Sequence, residues 1–339
     1  MNASIWQWLT DIERVPLGFT PTPLQPLDRL SEELGGPRIW LKRDDNTGLA
    51  TGGNKTRKLE YLLADARTAG ADTVITFGAV QSNHARQTAA ACAVAGLRCH
   101  LVLSRRVSWK HPQFESAGNV LLDHLLGAHV HIIEPDQVSD FTRDLRTRLK
   151  AQGQKPYLIP AGGSNSIGAL GYVRCAMELT QQFAETGCAP ERIYHASSSA
   201  GTQSGLVVGM ALLSDAIRVC GINVYHDAAQ PLIDQIKTIT SALIEERGLS
   251  LDVSKLIDVD HRYFGEDYGL PTKATLQAIK LAASTEGILF DPVYSGKALA
   301  GLIDQIVIGE ISHKGDVVFV HTGGSASLGV YDTAFKEFR

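Results

Sequence analysis

The sequence predicts an α/β fold with parallel sheets, and two observations carry that reading. Short β-rich apolar runs alternate with longer segments of helical period along almost the whole 339-residue chain, a pattern that makes strands parallel and joins them by crossover helices. Glycine and hydroxyl residues also gather where strands give way to helices, the place where open α/β sheets bind ligands. At about 150 residues per domain the length suggests two units, although one large α/β unit would also fit.

The elements follow in order. Strands are expected at RIWLKR from Arg38, TVITFGA from Thr73, CHLVLS from Cys99, HVHIIE from His129, YLIPAG from Tyr157, RIYHAS from Arg192, IRVCGINV from Ile217 and DVVFVHT from Asp316. Helical periods occupy TRKLEYLLADARTAG from Thr56, ARQTAAACAVAG from Ala85 and ATLQAIKLAAS from Ala274. The junction loops are TGGNK (51–55), QSNH (81–84), AGGSNSIG (161–168), SSSAGTQSG (197–205), YSGK (294–297) and HTGG (321–324). No low-complexity linker and no fixed repeat of 20 to 50 residues interrupts the series.

Composition excludes several classes. With 32 basic and 36 acidic side chains the net charge is −4, so no overall attraction to nucleic acid or to an anionic membrane is expected. Five cysteines, odd in number and without a C-x-x-C pair, argue against a disulfide framework or a zinc knuckle and suit a reducing compartment. The first residues, with Asp11 and Glu13 and no basic start, do not read as a signal peptide, and no uncharged apolar run reaches the ~18 residues of a membrane span. A cytoplasmic protein is expected. His129 and His131 alternate along a strand and no H-E-x-x-H occurs, so no metal site is expected.

Three loops carry candidate chemistry. SSSAGTQSG stands between a strand and a helix start, where small residues let backbone N–H groups converge on an anion and the helix adds its positive end. It is neither G-x-G-x-x-G nor a phosphate loop ending in GK[ST], and a helix cap in a tight turn would use the same residues. Lys55 sits where a Gly-Gly turn enters a helix, with Arg57 and Lys58 close behind. An amine so placed has a lowered pKa and a free lone pair for Schiff-base formation, whereas a solvated lysine in a basic first turn is the bland alternative. Ser82, Asn83 and His84 open another helix, either as a grip for a carboxylate or as an ordinary N-cap.

Taken together, TGGNKTRKLEYL, QSNHARQTAA, AGGSNSIGALGY, SSSAGTQSG, FDPVYSGKALAG and HTGG resemble the pyridoxal-phosphate enzymes of the ACC deaminase and D-cysteine desulfhydrase family, of the tryptophan-synthase-β fold group. The likeness runs in order from about Pro21 to Ser325. It implies two doubly wound parallel-sheet domains of pyridoxal-phosphate fold type II. The larger comprises residues 1–57 and 168–339, the smaller is inserted at 58–167, and the cofactor lies between them. It also implies a homodimer.

The resemblance further implies roles for individual residues. Lys55 matches the lysine that holds pyridoxal 5'-phosphate covalently and later moves the α-proton. Lys58 with Ser199, Ala200, Gly201 and Thr202 matches the phosphate site, and Asn83 the contact to the 3-oxygen of the ring. Ser82, with the backbone at Asn83 and His84, matches the grip on the substrate carboxylate. Tyr294 and Tyr268 fall at the active-site phenols, and Ser295 and Thr322 near the ring nitrogen. ACC deaminases resemble this chain but carry Glu at position 295 and Gln at position 84. A hydroxyl cannot supply the charge that keeps the ring nitrogen protonated, so β-elimination is expected over ring opening. The expected substrate is a small amino acid: the α-proton is removed, sulfide or sulfite leaves Cβ, and pyruvate and ammonia result. D-Cysteine desulfuration is the first expectation. L-Cysteate sulfo-lyase activity is the alternative and needs an extra donor for the sulfonate; ACC deamination ranks behind both.

Overall fold

The computed structural model describes residues 3–213, 217–312 and 314–338. Among the described residues ten strands run in chain order: β1 Leu24–Pro26, β2 Arg38–Lys42, β3 Thr73–Ala79, β4 Arg98–Ser104, β5 His129–Ile133, β6 Pro156–Ile159, β7 Pro190–Ser197, β8 Arg218–Asn223, β9 Ile257–Asp260 and β10 Asp316–Val320. The helices are α1 Ala3–Thr10, α2 Asp28–Leu34, α3 Lys55–Thr68, α4 Asn83–Ala95, α5 Asn119–Leu125, α6 Val138–Ala151, α7 Ser166–Thr186, α8 Gly201–Ala211, α9 Ala229–Glu246, α10 Lys273–Glu286 and α11 Ser295–Val307.

The strands form two sheets, one of six in the order β1-β2-β10-β7-β8-β9 and one of four in the order β5-β4-β3-β6. All pairings are parallel except β1 with β2. The protein therefore has the expected α/β fold, built on two largely parallel sheets. The four-stranded sheet spans residues 73–159, entirely between β2 and β7 of the larger one. The boundaries expected at 57/58 and 167/168 fall in the first turns of α3 and α7, the helices by which the chain leaves the large sheet and returns to it.

Both sheets are covered on both faces, as parallel sheets require. Along β10, Val317 and Phe319 pack into one core cluster with Ile39, Leu41 and Tyr194, while Val318 and Val320 face another with Trp40, Ile193 and Val219. Along β3, Val74 joins Leu59, Leu62 and Leu63 of α3, whereas Ile75 faces Leu145 and Leu149 of α6. The expected strand at YLIPAG stops at Ile159, because Pro160 lacks an N–H for the ladder and 161–163 turn away. Among the described residues no helix is long and apolar enough to cross a membrane, and all five cysteines are free and buried.

A buried ionic network ties α3 to α7 and to the loop after β2. Arg57 donates to Asp44 through Nε at 2.8 Å and Nη2 at 2.9 Å, and to Glu178 through Nη1 at 2.9 Å and Nη2 at 2.8 Å. Tyr172 donates to Asp44 at 2.6 Å, and Lys42 donates to Glu178 at 3.1 Å. Arg57, Lys42 and Asp44 are at most 2% exposed and Glu178 is 9% exposed. Two cations thus face two anions out of water. Burial pushes the carboxyls of Asp44 and Glu178 up, but Arg57 outweighs it and holds both below the ordinary carboxylate range. Their contribution to stability is therefore full above the unfolded-state values of about 4 and is lost as pH falls through the lowered native ones. Removing the guanidinium leaves two carboxylates facing one ammonium. Arg57→Met is expected to cost about 3–5 kcal/mol in urea titrations and to move the acid-unfolding midpoint to higher pH.

Candidate active site

The C-terminal ends of strands from both sheets open onto one cavity of about 760 Å³. Its walls come from the segments after β3 (Ser82, Asn83, His84), β6 (Pro160 to Gly162, with Ser164), β7 (Ser197 to Ala200, with Thr202), β8 (Tyr225) and β10 (Thr322, Gly323), together with Asn54 and Lys55 at the start of α3 and with Tyr268 and Tyr294. Ten of the residues singled out from sequence thus line one space: Lys55, Ser82, Asn83, His84, Ser199, Ala200, Thr202, Tyr268, Tyr294 and Thr322. Lys58, Gly201 and Ser295 do not line it. Lys58 and Ser295 are buried behind its wall, and Gly201 backs the loop that follows β7.

Lys55 is the first residue of α3. Its Nζ donates to Asn54 Oδ1 at 2.8 Å, and Asn54 Nδ2 donates to Thr202 Oγ1 at 3.0 Å, which links the lysine to the start of α8. Desolvation, helped by the charge of Arg86 and opposed by Asp291, pushes the amine down to about 8. The backbone here is tightly packed: Asn54 N–H donates to Thr322 O at 3.1 Å, and a Cβ on Gly323 would lie 2.9 Å from Gly53 Cα. That close approach explains why both loops carry paired glycines.

The loop after β7 forms a cup. Ala200 has φ 64, a left-handed conformation that is costly for a residue with a side chain and is concentrated at binding sites. It turns the chain into α8, where Gly201 N–H donates to Ser199 O at 2.8 Å and the amides of Thr202 and Gln203 have no intrahelical acceptors. Ser164 Oγ and Ser199 Oγ share a hydrogen bond of 2.8 Å, and Lys58 Nζ donates to Gly162 O at 3.0 Å and to Ser164 Oγ at 3.2 Å. A Cβ at Gly201 would come 2.7 Å from Ser164 Oγ and 3.0 Å from Lys58 Nζ, filling the cradle. Burial and then the charge of Lys55 push the Lys58 amine well below its ordinary range, and Ser197 Oγ is buried without a partner. Free amides, hydroxyls and a desolvated amine suit a phosphate, so the residues present fit the phosphate of pyridoxal phosphate.

Ser82 caps α4, its Oγ accepting from Ala85 N–H at 3.1 Å, so the ordinary cap expected of it is real. The amides of Asn83 and His84 at the helix start remain free for an anion. The Asn83 carboxamide is oriented from behind, because its oxygen accepts from Arg86 Nη1 at 2.9 Å and from Asn119 Nδ2 at 3.0 Å. Its NH₂ is thereby left as a donor for the cavity. Thr76 Oγ1 donates to Ile159 O at 2.9 Å and so accepts from His84 Nε2 at 2.8 Å. Burial, with Lys55 and Lys58 nearby, holds His84 far below its ordinary range. The ring is neutral, and its Nδ1 is a buried acceptor without a partner.

Tyr268 and Tyr294 are hydrogen-bonded through their hydroxyls. Burial pushes Tyr268 up to about 12, and burial with the neighbouring phenol pushes Tyr294 well above its ordinary range, so both keep their protons. One proton joins the pair and the other is available to the cavity. The two hydroxyls expected at the ring nitrogen are placed differently. Thr322 lines the cavity with no hydrogen bond to its hydroxyl among the described residues. Ser295, 0% exposed, donates to Asp291 Oδ1 at 2.6 Å and accepts from Asp291 N–H at 2.9 Å, fixing the start of α11.

Sequence reasoning missed Arg86, Asn119 and Arg106. Nothing in the local pattern marks them, since their roles depend on contacts across the chain, such as the 36 residues that separate Asn83 from Asn119. Asn54, Ser164 and Ser197 lie in the glycine and hydroxyl loops, which were the available signal. Among the described residues no group of three His, Cys, Asp or Glu is placed to hold a metal ion.

Comparison with known proteins identifies the family. The family model described as "Pyridoxal-phosphate dependent enzyme" matches residues 15–323. Relatives include a D-cysteine desulfhydrase of Serratia proteamaculans, 43% identical over 97% of this chain and 98% of its own. Another is a D-cysteine desulfhydrase of Klebsiella pneumoniae subsp. pneumoniae, 44% identical over 96% of this chain and 98% of its own. Among solved structures an ACC deaminase homologue superposes with a TM-score of 0.87 at 37% identity, covering 98% of both chains. A threonine deaminase shares the fold alone, with a TM-score of 0.65 at 17% identity over 89% of this chain and 92% of its own. Lysine, cup and likeness across nearly the full length converge, and the chain belongs to the pyridoxal-phosphate-dependent enzymes.

Proposed function

We propose that this enzyme is a D-cysteine desulfhydrase, converting D-cysteine and water to pyruvate, ammonia and hydrogen sulfide. The observation that carries the reading is the character of the cavity wall: Thr322 offers a free neutral hydroxyl, and among the described lining residues the only carboxylate is Asp234, which accepts from Gln230 Nε2 at 2.7 Å. A site without a carboxylate for the ring nitrogen suits loss of a β-substituent better than opening of a cyclopropane. The relatives named D-cysteine desulfhydrase support the same choice.

Pyridoxal phosphate, when bound, draws electron density from the α-carbon of the amino acid it carries. In this reading Lys55 is its covalent anchor and, once free, the base that takes the α-proton, a task suited to an amine near neutral pKa. The cup with Lys58, Ser199, Ala200, Gly201 and Thr202 would hold the phosphate, and the outward NH₂ of Asn83 would serve as donor to the ring 3-oxygen. Thr322 would offer its hydroxyl to the ring nitrogen, and Ser295, bonded to Asp291, braces the start of α11. Ser82 and the amides of Asn83 and His84 grip the substrate carboxylate, and the spare proton of the Tyr268–Tyr294 pair serves the departing sulfur. Residues 58–167 act as the inserted domain, and the protein works as a cytoplasmic homodimer.

With loaded enzyme, D-cysteine is expected to yield sulfide and pyruvate in equal amounts while ACC yields no oxo acid; absence of both products from D-cysteine overturns the reading. Lys55→Ala is expected to lower kcat by about 10³-fold or more and to leave no cofactor fixed to the protein after borohydride reduction. Because only the unprotonated amine reacts, the rate at which apoprotein captures the cofactor, followed by its visible absorption, is expected to rise with pH and level off above about 8, well short of the ~10.4 of a free lysine.

A further inference from the structure

The sequence motif YSGK at 294–297 ends in a lysine that the cavity does not use. Lys297 stands in the first turn of α11, is 0% exposed and does not line the cavity. Its Nζ donates to two backbone carbonyls, Phe264 O at 2.5 Å and Asp267 O at 3.1 Å, and lies 5.3 Å from the centroid of the Phe264 ring. Among the described residues no carboxylate is bonded to it. Burial pushes the amine down to about 8, against the charges of Asp267 and Asp291. An ammonium buried without a bonded counter-ion is costly, and this one is devoted to a single loop. That loop joins β9 to α10 and carries Tyr268. Gly265, with φ 83, lets it turn so that both carbonyls reach the ammonium. Tyr268 N–H donates to Asp267 Oδ1 at 2.7 Å, and its hydroxyl is bonded to that of Tyr294. Its ring packs edge-on against Tyr225 at 4.9 Å, and the Arg106 guanidinium lies 5.2 Å from the Tyr225 centroid.

Tyr294 stands three positions before Lys297, so the start of α11 holds the loop twice, by its backbone through Lys297 and by its phenol through Tyr294. We propose that Lys297 is a positioning residue for β-elimination: by fixing the carbonyls of Phe264 and Asp267 it sets the place of Tyr268, and through the phenol pair the proton that the departing sulfur takes. The inference rests on the reading of that pair as the acid for sulfur. The Cβ–S bond breaks with its electron pair on sulfur. The hydrosulfide then takes the spare phenol proton and leaves as hydrogen sulfide, and the phenol regains a proton from water. A chloride leaves with its electron pair and needs no proton, so elimination from β-chloro-D-alanine bypasses the phenols. A misplaced acid slows only the step that uses it.

The test compares D-cysteine with β-chloro-D-alanine on loaded wild-type enzyme, Lys297→Met, Lys297→Gln, Tyr268→Phe and the double variant Lys297→Met with Tyr268→Phe, assaying pyruvate. The visible cofactor band and the melting curve check the fold of each. Lys297→Met is expected to lower kcat for D-cysteine about tenfold or more, with its KM and the chloride reaction little changed. Lys297→Gln keeps two N–H groups for the two carbonyls and is expected to recover part of the rate; it also carries the test if the methionine variant does not fold. In the double variant the loss is expected to equal that of Tyr268→Phe alone, because the lysine acts through the phenol. Amide exchange of the loaded enzyme in deuterated water is expected to quicken in Lys297→Met at residues 264–268 and not at 81–84. An unchanged D-cysteine rate in both Lys297 variants, equal losses on the two substrates, or additive losses in the double variant overturns the inference while the desulfhydrase reading stands. A wild type that releases no sulfide from D-cysteine removes that reading, and the exchange measurement then decides the placement: quickened exchange at 264–268 keeps it and unchanged exchange overturns it.

Discussion

The site depends on one buried interaction, the grip of Asp44 and Glu178 on Arg57. Arg57 follows Lys55 by two positions in α3, about 200° around the helix, so the two side chains leave on opposite sides. Fixing the guanidinium between the loop after β2 and α7 sets the rotation of α3 about its axis, and that rotation aims Lys55 at the cavity. Lys58, three positions on, shares the Lys55 face and reaches the cup. Taking four charges out of water is costly unless geometry and hydrogen bonding are complete. Here the guanidinium is bonded on both sides, Tyr172 and Thr22 add donors to Asp44, and Lys42 balances the charge.

That placement has an electrostatic consequence. Lys55 on the cavity wall and Lys58 and Arg86 buried behind it are each pushed below the ordinary range mainly by desolvation. The same burial, reinforced by the lysines, keeps His84 neutral. A cavity with excess positive charge and free amides at two helix starts is prepared for anions. Its lysine is also a better nucleophile and a weaker base than a solvated one.

Much of this was legible in the sequence. Strands β2 to β8 and β10 begin within two residues of their expected starts, because each is a β-rich run between helical periods. Strand β1 escaped notice because Leu24–Pro26 is three residues long and ends in proline, and β9 because Ile257–Asp260 alternates apolar and acidic residues with no long apolar run. At the site, the loops that supply backbone amides could be read from their glycines and hydroxyls. What could not be read is which side chain faces inward. Ser295 and Thr322 are both hydroxyls in junction loops, yet only the second reaches the cavity, because Asp291 captures the first from four residues away. The Arg57 network was equally hidden, since its acceptors stand 13 and 121 residues away.

The orientation of Asn83 shows how the four-stranded sheet shapes the cavity wall rather than merely covering it. An isolated asparagine presents either its oxygen or its NH₂. Here Arg86 and Asn119 both donate to the oxygen, and the orientation of Asn119 is itself set, since its NH₂ also donates to Gln81 O at 3.1 Å. The donor toward the cavity is thus determined two residues deep, by α4 and α5 of the inserted segment. His84 is fixed in the same manner, with Thr76 and Ile159 deciding which ring nitrogen carries the proton. The inserted segment therefore contributes one oriented donor and one oriented acceptor, and the large sheet contributes the cup and the neutral Thr322 hydroxyl. With no lining carboxylate beyond Asp234 among the described residues, the proposed reaction would move its protons through Lys55 and the phenol pair. Each is desolvated, and desolvation favours the neutral form of both, lowering the amine and raising the phenols from ordinary values that lie close together.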